Sequence, residues 1–363
     1  MARPRSCAPT QTTIAEAVGV SVPTVSKALR DDPTISKRTR ALVHATASRL
    51  GYTSPASSAS SGATSSPSPD TAPTPHTRHR VSIVCDTINN AYTGELLAGM
   101  LAAARTLDVI LQIDHLGVAA DVLDDEDSAE QAASALARLA TGNADALILV
   151  TTPVDSRTLE RSLERGQPIL AIDPATTPPA GLVTLAATNW RGGVQATEHL
   201  IGLGHRRIGV ICGPQRSLPT IERLAGFRHA CSAADIEPDD SLILPGRYDY
   251  ESGLEAGGAL LDLAEPPTAI FAMNDVIAVG VLEAARRRNV HVPEDLSVIG
   301  FDDTSVARMS SPRLTVIRQP LHEIGSEAVH AVVRALGRGR VSGSPIEMQT
   351  SLVTRSSTAP APR

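Results

Sequence analysis

Aromatic side chains are scarce: four Tyr, three Phe and one Trp among 363 residues, or 2%. Since 42% of the chain is still hydrophobic, its cores must be built from Ala, Val, Leu and Ile. Cysteine is sparse too. Cys7, Cys85, Cys212 and Cys231 lie far apart and form no C-x-x-C pair, which speaks against a zinc ribbon or a disulfide framework and for reduced thiols. No window is apolar for long enough to span a bilayer. Residues 1–9 lack the apolar run of a signal peptide. A cytoplasmic protein that does not engage a membrane is expected. Also missing are G-x-S-x-G, H-E-x-x-H, G-x-x-x-x-G-K-[ST] and G-x-G-x-x-G. Gly192-Gly193 and Gly257-Gly258 fall inside helical segments, not at phosphate-binding turns. No catalytic residue, metal or cofactor is therefore expected.

The net charge of −6 conceals an asymmetry. Residues 1–52 hold eight Lys/Arg against three Asp/Glu, so a basic head is joined to an acidic body. That distribution fits a nucleic-acid module carried by a larger soluble domain. Within the head, Ile14 to Leu29 reads as two short apolar-periodic segments meeting at Gly19-Val20. Gly19 supplies the positive φ of a tight corner. Ser21 is placed to cap the second helix, and Pro23 is tolerated in a first turn whose amides have no intrahelical partner. Val25 and Leu29 face inward, leaving Val22, Pro23, Ser26 and Lys27 outward. A first helix starting at Thr10 and a third running from Ser36 to Leu50, with Leu42, Val43, Thr46 and Leu50 at helical spacing, complete a helix-turn-helix module.

These words resemble the headpiece of LacI-type (LacI/GalR) transcriptional regulators: Gly19-Val20-Ser21-Val22-Pro23-Thr24-Val25-Ser26-Lys27-Ala28-Leu29, then Pro33 to Ser36, Thr39-Arg40 and Leu50-Gly51-Tyr52. The resemblance implies that the second helix enters the major groove of double-stranded operator DNA and that a homodimer reads paired, palindromic half-sites. Candidate DNA contacts are Thr10, Ser21, Val22, Pro23, Thr24, Ser26, Lys27, Arg30, Lys37 and Arg40. Lys27 is expected at a base edge, and Arg30, Lys37 and Arg40 at phosphates. Arg30 stands where the family usually has Asn.

Residues 53–80 follow. Ser, Pro, Thr, Ala and Gly make up 23 of these 28 residues, and no large apolar side chain occurs. Nothing there offsets the entropy of ordering, so a disordered linker is expected. His76 and His79 at H-x-x-H spacing read as solvated imidazoles, not metal ligands. LacI-type regulators usually carry here a hinge helix whose Leu wedges a minor-groove base step. Thr53 to Ser60 has neither that Leu nor the Arg, so no such helix is expected, on DNA or off it.

From Val81 onward, apolar strand-like runs alternate with helical segments. The runs are Val81–Cys85, Val109–Ile113, Ala146–Val150, Pro168–Ile172 and Leu182–Ala186, then Arg207–Cys212, Ala269–Ala272 and Leu296–Ile299. Helices are predicted over Leu96–Leu107, Ala129–Leu139, Gly192–Leu203 and Val276–Asn289. Two such series give an α/β protein with two doubly wound lobes and a cleft at the carboxyl ends of the strands. Leu314–Ile317 and Met348–Thr354 read as late strands that cross between lobes. The expected division is a headpiece 1–52, a linker 53–80, an effector and dimerisation domain 81–356, and a disordered tail 357–363. Its first lobe takes about 81–184 plus 318–340, and its second about 185–317 plus 341–356.

This half also resembles the LacI-type effector domain, itself similar to periplasmic sugar-binding proteins. The matching words include Asn189-Trp190-Arg191-Gly192-Gly193, Leu203-Gly204-His205-Arg206-Arg207-Ile208, Met273-Asn274-Asp275, and Ile299-Gly300-Phe301-Asp302-Asp303. Asp173, Asn274 and Asp302 each end an apolar strand and so are aimed at the cleft. Arg223 offers a fork of donors. Tyr92 and Tyr248 fall where the family places stacking rings. Asp275 and Asp303 read equally well as helix caps. The expectation is a DNA-binding transcriptional regulator, a repressor of carbohydrate-utilisation genes, tuned by a small sugar-like effector. An activator or a purine-like effector is the alternative. A stand-alone sugar-binding protein or an enzyme is remote.

Overall fold

The computed structural model describes residues 10–29, 32, 35–50, 78–116, 136 and 144–362. The chain divides into two units, residues 1–75 and 76–363.

In the first unit, α1 (Gln11–Val18), α2 (Val22–Leu29) and α3 (Lys37–Leu50) enclose a small core of Ile14, Ala15, Val25, Ala28, Val43 and Ala47. Each helix has the start its sequence dictates. Thr10 caps α1 through a reciprocal box with Thr13. Gly19 ends α1 in the left-handed region at φ 73°. Ser21 Oγ accepts from the Thr24 amide at 3.3 Å, and Ser36 Oγ from the Thr39 amide at 3.1 Å. One core expectation fails. Leu42 is exposed, while Val43, Thr46 and Ala47 fill the inward face of α3 instead. Arg30 lies outside the described residues, as do 53–77, which contain the whole hinge question, and most of the helix expected at 129–139.

The second unit holds two six-stranded sheets. Sheet order in the first lobe is β11-β5-β4-β3-β1-β2, from β1 (Arg80–Cys85), β2 (Ile110–His115), β3 (Ala146–Val150), β4 (Ile169–Ile172), β5 (Val183–Ala187) and β11 (Ile346–Met348). The second lobe is ordered β12-β10-β9-β8-β6-β7, from β6 (Ile208–Ile211), β7 (Ile243–Leu244), β8 (Ala269–Ala272), β9 (Ser297–Asp302), β10 (Thr315–Arg318) and β12 (Ser351–Val353). All pairs are parallel except β10 with β12. Runs such as Ala146–Val150 and Ala269–Ala272 are buried along their whole length because helices cover both faces. The helices are α4 (Ala91–Leu107), α5 (Ser156–Glu164), α6 (Asn189–Gly202), α7 (Leu218–Ala233), α8 (Tyr250–Leu261), α9 (Asp275–Arg287), α10 (Ser305–Met309) and α11 (Leu321–Ala335).

Three crossings join the lobes, after β5, after β10 and between β11 and β12. Thr188 ties two of them together, its amide donating to the Met348 carbonyl at 2.8 Å and its hydroxyl accepting from the Thr350 amide at 3.0 Å. Three boundary expectations are corrected. β5 runs to Ala187, past the expected end of the first lobe at 184. β11 pairs with β5, so residues through 348 belong to the first lobe and only β12 returns to the second. The expected disordered tail is packed as far as residue 361. Ser357 is buried, with its Oγ donating to the Val298 carbonyl at 2.6 Å and accepting from the Thr315 amide at 2.8 Å. The Ala361 amide donates to the Leu203 carbonyl at 2.9 Å. Short polar side chains thus satisfy strand-end groups of β9 and β10, a role that apolar periodicity does not reveal.

Candidate functional site

Between the two lobes lies a cleft of about 590 Å³. Both sheets aim their strand ends at it, and it sits where the strand order reverses, at β1/β3 in one sheet and β6/β8 in the other. All six cleft residues expected from sequence line it: Tyr92, Asp173, Arg223, Tyr248, Asn274 and Asp302. Three of them, Asp173 (φ 41°), Tyr248 (φ 63°) and Asp302 (φ 105°), hold a left-handed backbone, as does Thr151 at φ 49° on the same wall. Non-glycine residues adopt that region at a cost, and clusters of them mark sites whose geometry the surroundings enforce.

Arg223, on α7, organises the floor. Its Nε donates to Asn189 Oδ1 at 2.9 Å and its Nη1 to the Met273 carbonyl at 2.5 Å. Nη2 stands 3.8 Å from Asp302 Oδ1. The guanidinium lies 3.7 Å from the centre of the Phe301 ring, a cation–π contact strengthened by the burial of both groups. α7 comes this close to α6 because Gly193 has no side chain: a Cβ there would sit 2.2 Å from the Arg223 carbonyl oxygen. Asn189 passes the network on, its Nδ2 donating to Asp173 Oδ1 at 3.5 Å. From the other side Tyr92 Oη donates to Asp173 Oδ2 at 2.5 Å. Gln319 Nε2 donates to Asp302 Oδ1 at 2.6 Å.

Two roles differ from expectation. Asn274, not Asp275, caps α9: its Oδ1 accepts from the Ile277 amide at 2.8 Å, while its Nδ2 donates to the Tyr248 carbonyl at 3.1 Å. Asp275 instead accepts from the Thr304 amide and hydroxyl, and Thr304 caps α10. Asp303 is no cap either. It is buried between Arg318 and Arg355, at 2.6 Å from each. Tyr248 packs its ring on Gly213, where a Cβ would lie 2.1 Å from the ring, and its hydroxyl sits 2.7 Å from Thr220 Oγ1.

Burial sets the electrostatics. It pushes the Asp302 carboxyl up to about 7, against the opposing pull of Arg223 and the Gln319 hydrogen bond. Burial likewise raises Asp173, opposed by Tyr92 and Arg223, and takes Asp86 to about 6, opposed by the Thr151 hydroxyl that donates to it. Burial, reinforced by the charge of Asp302, carries Asp275 well above the carboxylate range. The cleft is thus rich in acceptors around one buried fork of donors. Such a set meets hydroxyl groups that both donate and accept. Among the described residues, no group of three His, Cys, Asp or Glu is placed to hold a metal ion.

Sequence reasoning missed Asp86, Thr151 and Asn189. The first two follow β1 and β3 directly, so the strand-end rule that found Asp173 and Asp302 could have found them. Asn189 opens a helix, and its role appears only once α7 is packed against α6.

In the first unit, Thr10, Ser21, Val22, Pro23 and Lys27 are exposed, and Thr24 and Ser26 are half-buried. Ser21 and Thr24 bond each other, their hydroxyl oxygens 2.8 Å apart. Arg40 turns back, donating from Nη2 to the Ile35 carbonyl at 3.1 Å. Lys37 opens α3, while its side chain, like all of Arg30, lies outside the described residues.

Comparison with known proteins follows the same division. Residues 12–54 match the family described as bacterial regulatory proteins, lacI family, and residues 197–358 a periplasmic binding protein-like domain. The HTH-type transcriptional regulator DegA of Bacillus subtilis is 32% identical, covering 96% of this chain and 97% of its own. The HTH-type transcriptional repressor CytR of Escherichia coli is 29% identical over 99% of both chains. Among solved structures, that of the transcriptional regulator CelR in complex with cellobiose superposes with a TM-score of 0.67. It is 28% identical and covers 96% of this chain and 99% of that one.

Proposed function

The chain belongs to the lacI family of bacterial regulatory proteins, and on that premise we propose that it is a repressor of carbohydrate-utilisation genes whose operator binding is set by a sugar in the inter-lobe cleft. Residues 1–52 form the DNA-reading headpiece, 53–79 the linker, and the chain from β1 through the packed tail, 80–361, the effector and dimerisation domain. Repression is favoured by CytR, a repressor similar along the whole chain. The sugar is favoured by one observation above others. In a chain with eight aromatic residues, three of its four tyrosines, Tyr92, Tyr248 and Tyr250, line this single cavity. Aromatic faces against C–H faces, with carboxylates and an arginine fork for hydroxyls, make a carbohydrate site.

Lys27 is assigned to a base edge, and Thr10, Ser21, Val22, Pro23, Thr24 and Ser26 to the same groove-facing surface. Arg30, Lys37 and Arg40 are assigned to phosphates. One headpiece reads too few bases alone, so the protein acts as a homodimer on palindromic half-sites, in the cytoplasm. Leu101 on α4 and Ile110 and Ile113 on the edge strand β2 are apolar and exposed, and a second copy is the cover we assign to them. Calorimetry of the full chain against mono- and oligosaccharides, purines and amino acids tests the effector. Saccharide binding that Asp302→Ala abolishes is expected. Tight purine binding with no saccharide signal, or an Asp302→Ala protein that binds as the parent does, would sink the reading.

A further inference from the structure

One face of the first lobe's sheet is left open by that lobe's own helices. Side chains alternate along β5, and Val183, Leu185 and Ala187 point into the core shared with α4 and α11. Thr184 and Ala186 therefore point the other way, and so does Glu347 of β11, which pairs with Ala186. Over β3 and β4 that opposite face is sealed by apolar packing around Leu159 of α5. Over β5 and β11 a cavity of about 210 Å³ takes the place of that packing. Its far wall belongs to the second lobe, with Asn189 of α6 and Pro219 and Glu222 of α7.

The charge of this lining is one-sided. Asp173, Glu222 and Glu347 bring carboxylates to it, and among the described residues no basic side chain lines it. Burial raises the Glu222 carboxyl, aided by the charges of Asp173 and Glu347 and opposed by a hydrogen bond from Asn189 and by Arg223. Thr184 adds an independent sign. It is 8% exposed and lines the cavity, and its hydroxyl has no hydrogen-bond partner among the described residues. A hydroxyl so buried is costly to leave unpaired, so a molecule in the cavity is expected to meet it. A metal ion does not fit, because among the described residues no three His, Cys, Asp or Glu converge to hold one. Carboxylates spread along a cavity walled by Pro178, Pro219 and Pro345 suit a cation that is itself extended and partly apolar.

We propose that this second cavity binds a short aliphatic diamine. One ammonium meets Asp173, Glu222 and the Thr184 hydroxyl, the methylenes lie along the prolines, and the other ammonium pairs with the exposed Glu347. An ammonium donates three hydrogen bonds and accepts none, which matches a lining of acceptors. The walls come from both lobes, and Asn189 bonds Asp173 on one side and Arg223 on the other. An occupant here therefore ties the lobes together beside the cleft floor. The diamine site stands whichever effector the cleft takes.

The test is calorimetry of the full chain with 1,4-diaminobutane, butylamine and magnesium chloride at about pH 8, where alkylammonium groups stay charged. The diamine is expected to bind about fivefold more tightly than butylamine, and magnesium to give no saturable heat. Thr184→Val and Glu222→Gln should each weaken both amines about tenfold or more. Glu347→Gln should erase the diamine's margin and leave butylamine unchanged. Thr184, Glu222 and Glu347 line this cavity and not the cleft, so their variants separate the two sites. Glu347 is exposed, so its variant keeps the test alive if a buried substitution fails to fold. No saturable binding of the diamine overturns the site. So does binding that Thr184→Val and Glu347→Gln leave unchanged, which puts the diamine in the cleft. Magnesium bound as tightly as the diamine overturns it as well, because a point charge then suffices.

Discussion

The headpiece and the cleft present the side chains we assign to binding in opposite ways. On α2, Val22, Pro23 and Lys27 project from a three-helix core of six small apolar residues, and Lys27 has no part in that core. In the cleft, Arg223, Asp173, Asn189 and Asp302 are all buried, and each bonds or faces another of the set. An exposed reader can change without the fold registering it. A buried binder cannot, because removing one member strands the partners it leaves behind. The headpiece therefore separates recognition from stability, and the cleft joins them.

The sharpest way to break that contrast is Arg223→Ala. It leaves Asp302 without its guanidinium, Asn189 Oδ1 without a donor, and a bare carbonyl at Met273. Loss of one partner from a buried network costs about 3–5 kcal/mol. The full chain should melt markedly lower and lose saccharide binding, whereas the headpiece face stays intact. A thermal melt unchanged from the parent's would show that the cleft network does not carry stability.

The second test concerns pH. Folding raises the Asp302 carboxyl from 3.8 to about 7, mainly through burial. A carboxyl raised in this way contributes stability that is fully present below its unfolded value and is lost as pH rises through its folded value. The ligand-free protein should therefore lose stability between about pH 4 and pH 7 on this group's account. Asp302→Asn cannot titrate, so the difference in stability, variant minus parent, should move in the variant's favour across that window. Urea denaturation at several pH values reads it, and a difference that stays constant with pH would refute the assignment. Sugar hydroxyls donate better to the ionised carboxylate, so parent affinity for the effector should rise over the upper part of the same range.

The same contrast explains what was legible in the sequence. The headpiece could be read almost completely, caps included, because its signals are local. Gly19, Ser21 and Ser36 act within three or four residues of where they stand. Strands were legible where they form unbroken apolar runs, as at Ala146–Val150 and Ala269–Ala272, which match to the residue. Two-residue β7 and the polar-flanked β11 carry no such run and went unseen. The six cleft residues were found because strand ends and family words point at them. Their division of labour was not legible. Asn274 turned out to be the cap, tied also to the distant Tyr248 carbonyl, and Asp303 an ion-pair hub whose partners Arg318 and Arg355 lie far away in the chain. The packed tail hid because its partners are distant in the chain: Ser357 matters only because β9 and β10 begin beside it.

The smallest effect should come from the headpiece, and it discriminates most cleanly. Lys27 is exposed in the last turn of α2, the helix assigned to the groove, and belongs to neither the cap nor the core. Lys27→Ala should leave the melt of the full chain unchanged and cost about 1–3 kcal/mol in operator affinity, with preference flattened at one base position. The measurement is binding to operator and to random duplex side by side. If both weaken equally, Lys27 neutralises a phosphate and reads nothing. If only the operator weakens, the lysine reads a base edge, and the headpiece meets DNA through a side chain on which its fold does not depend.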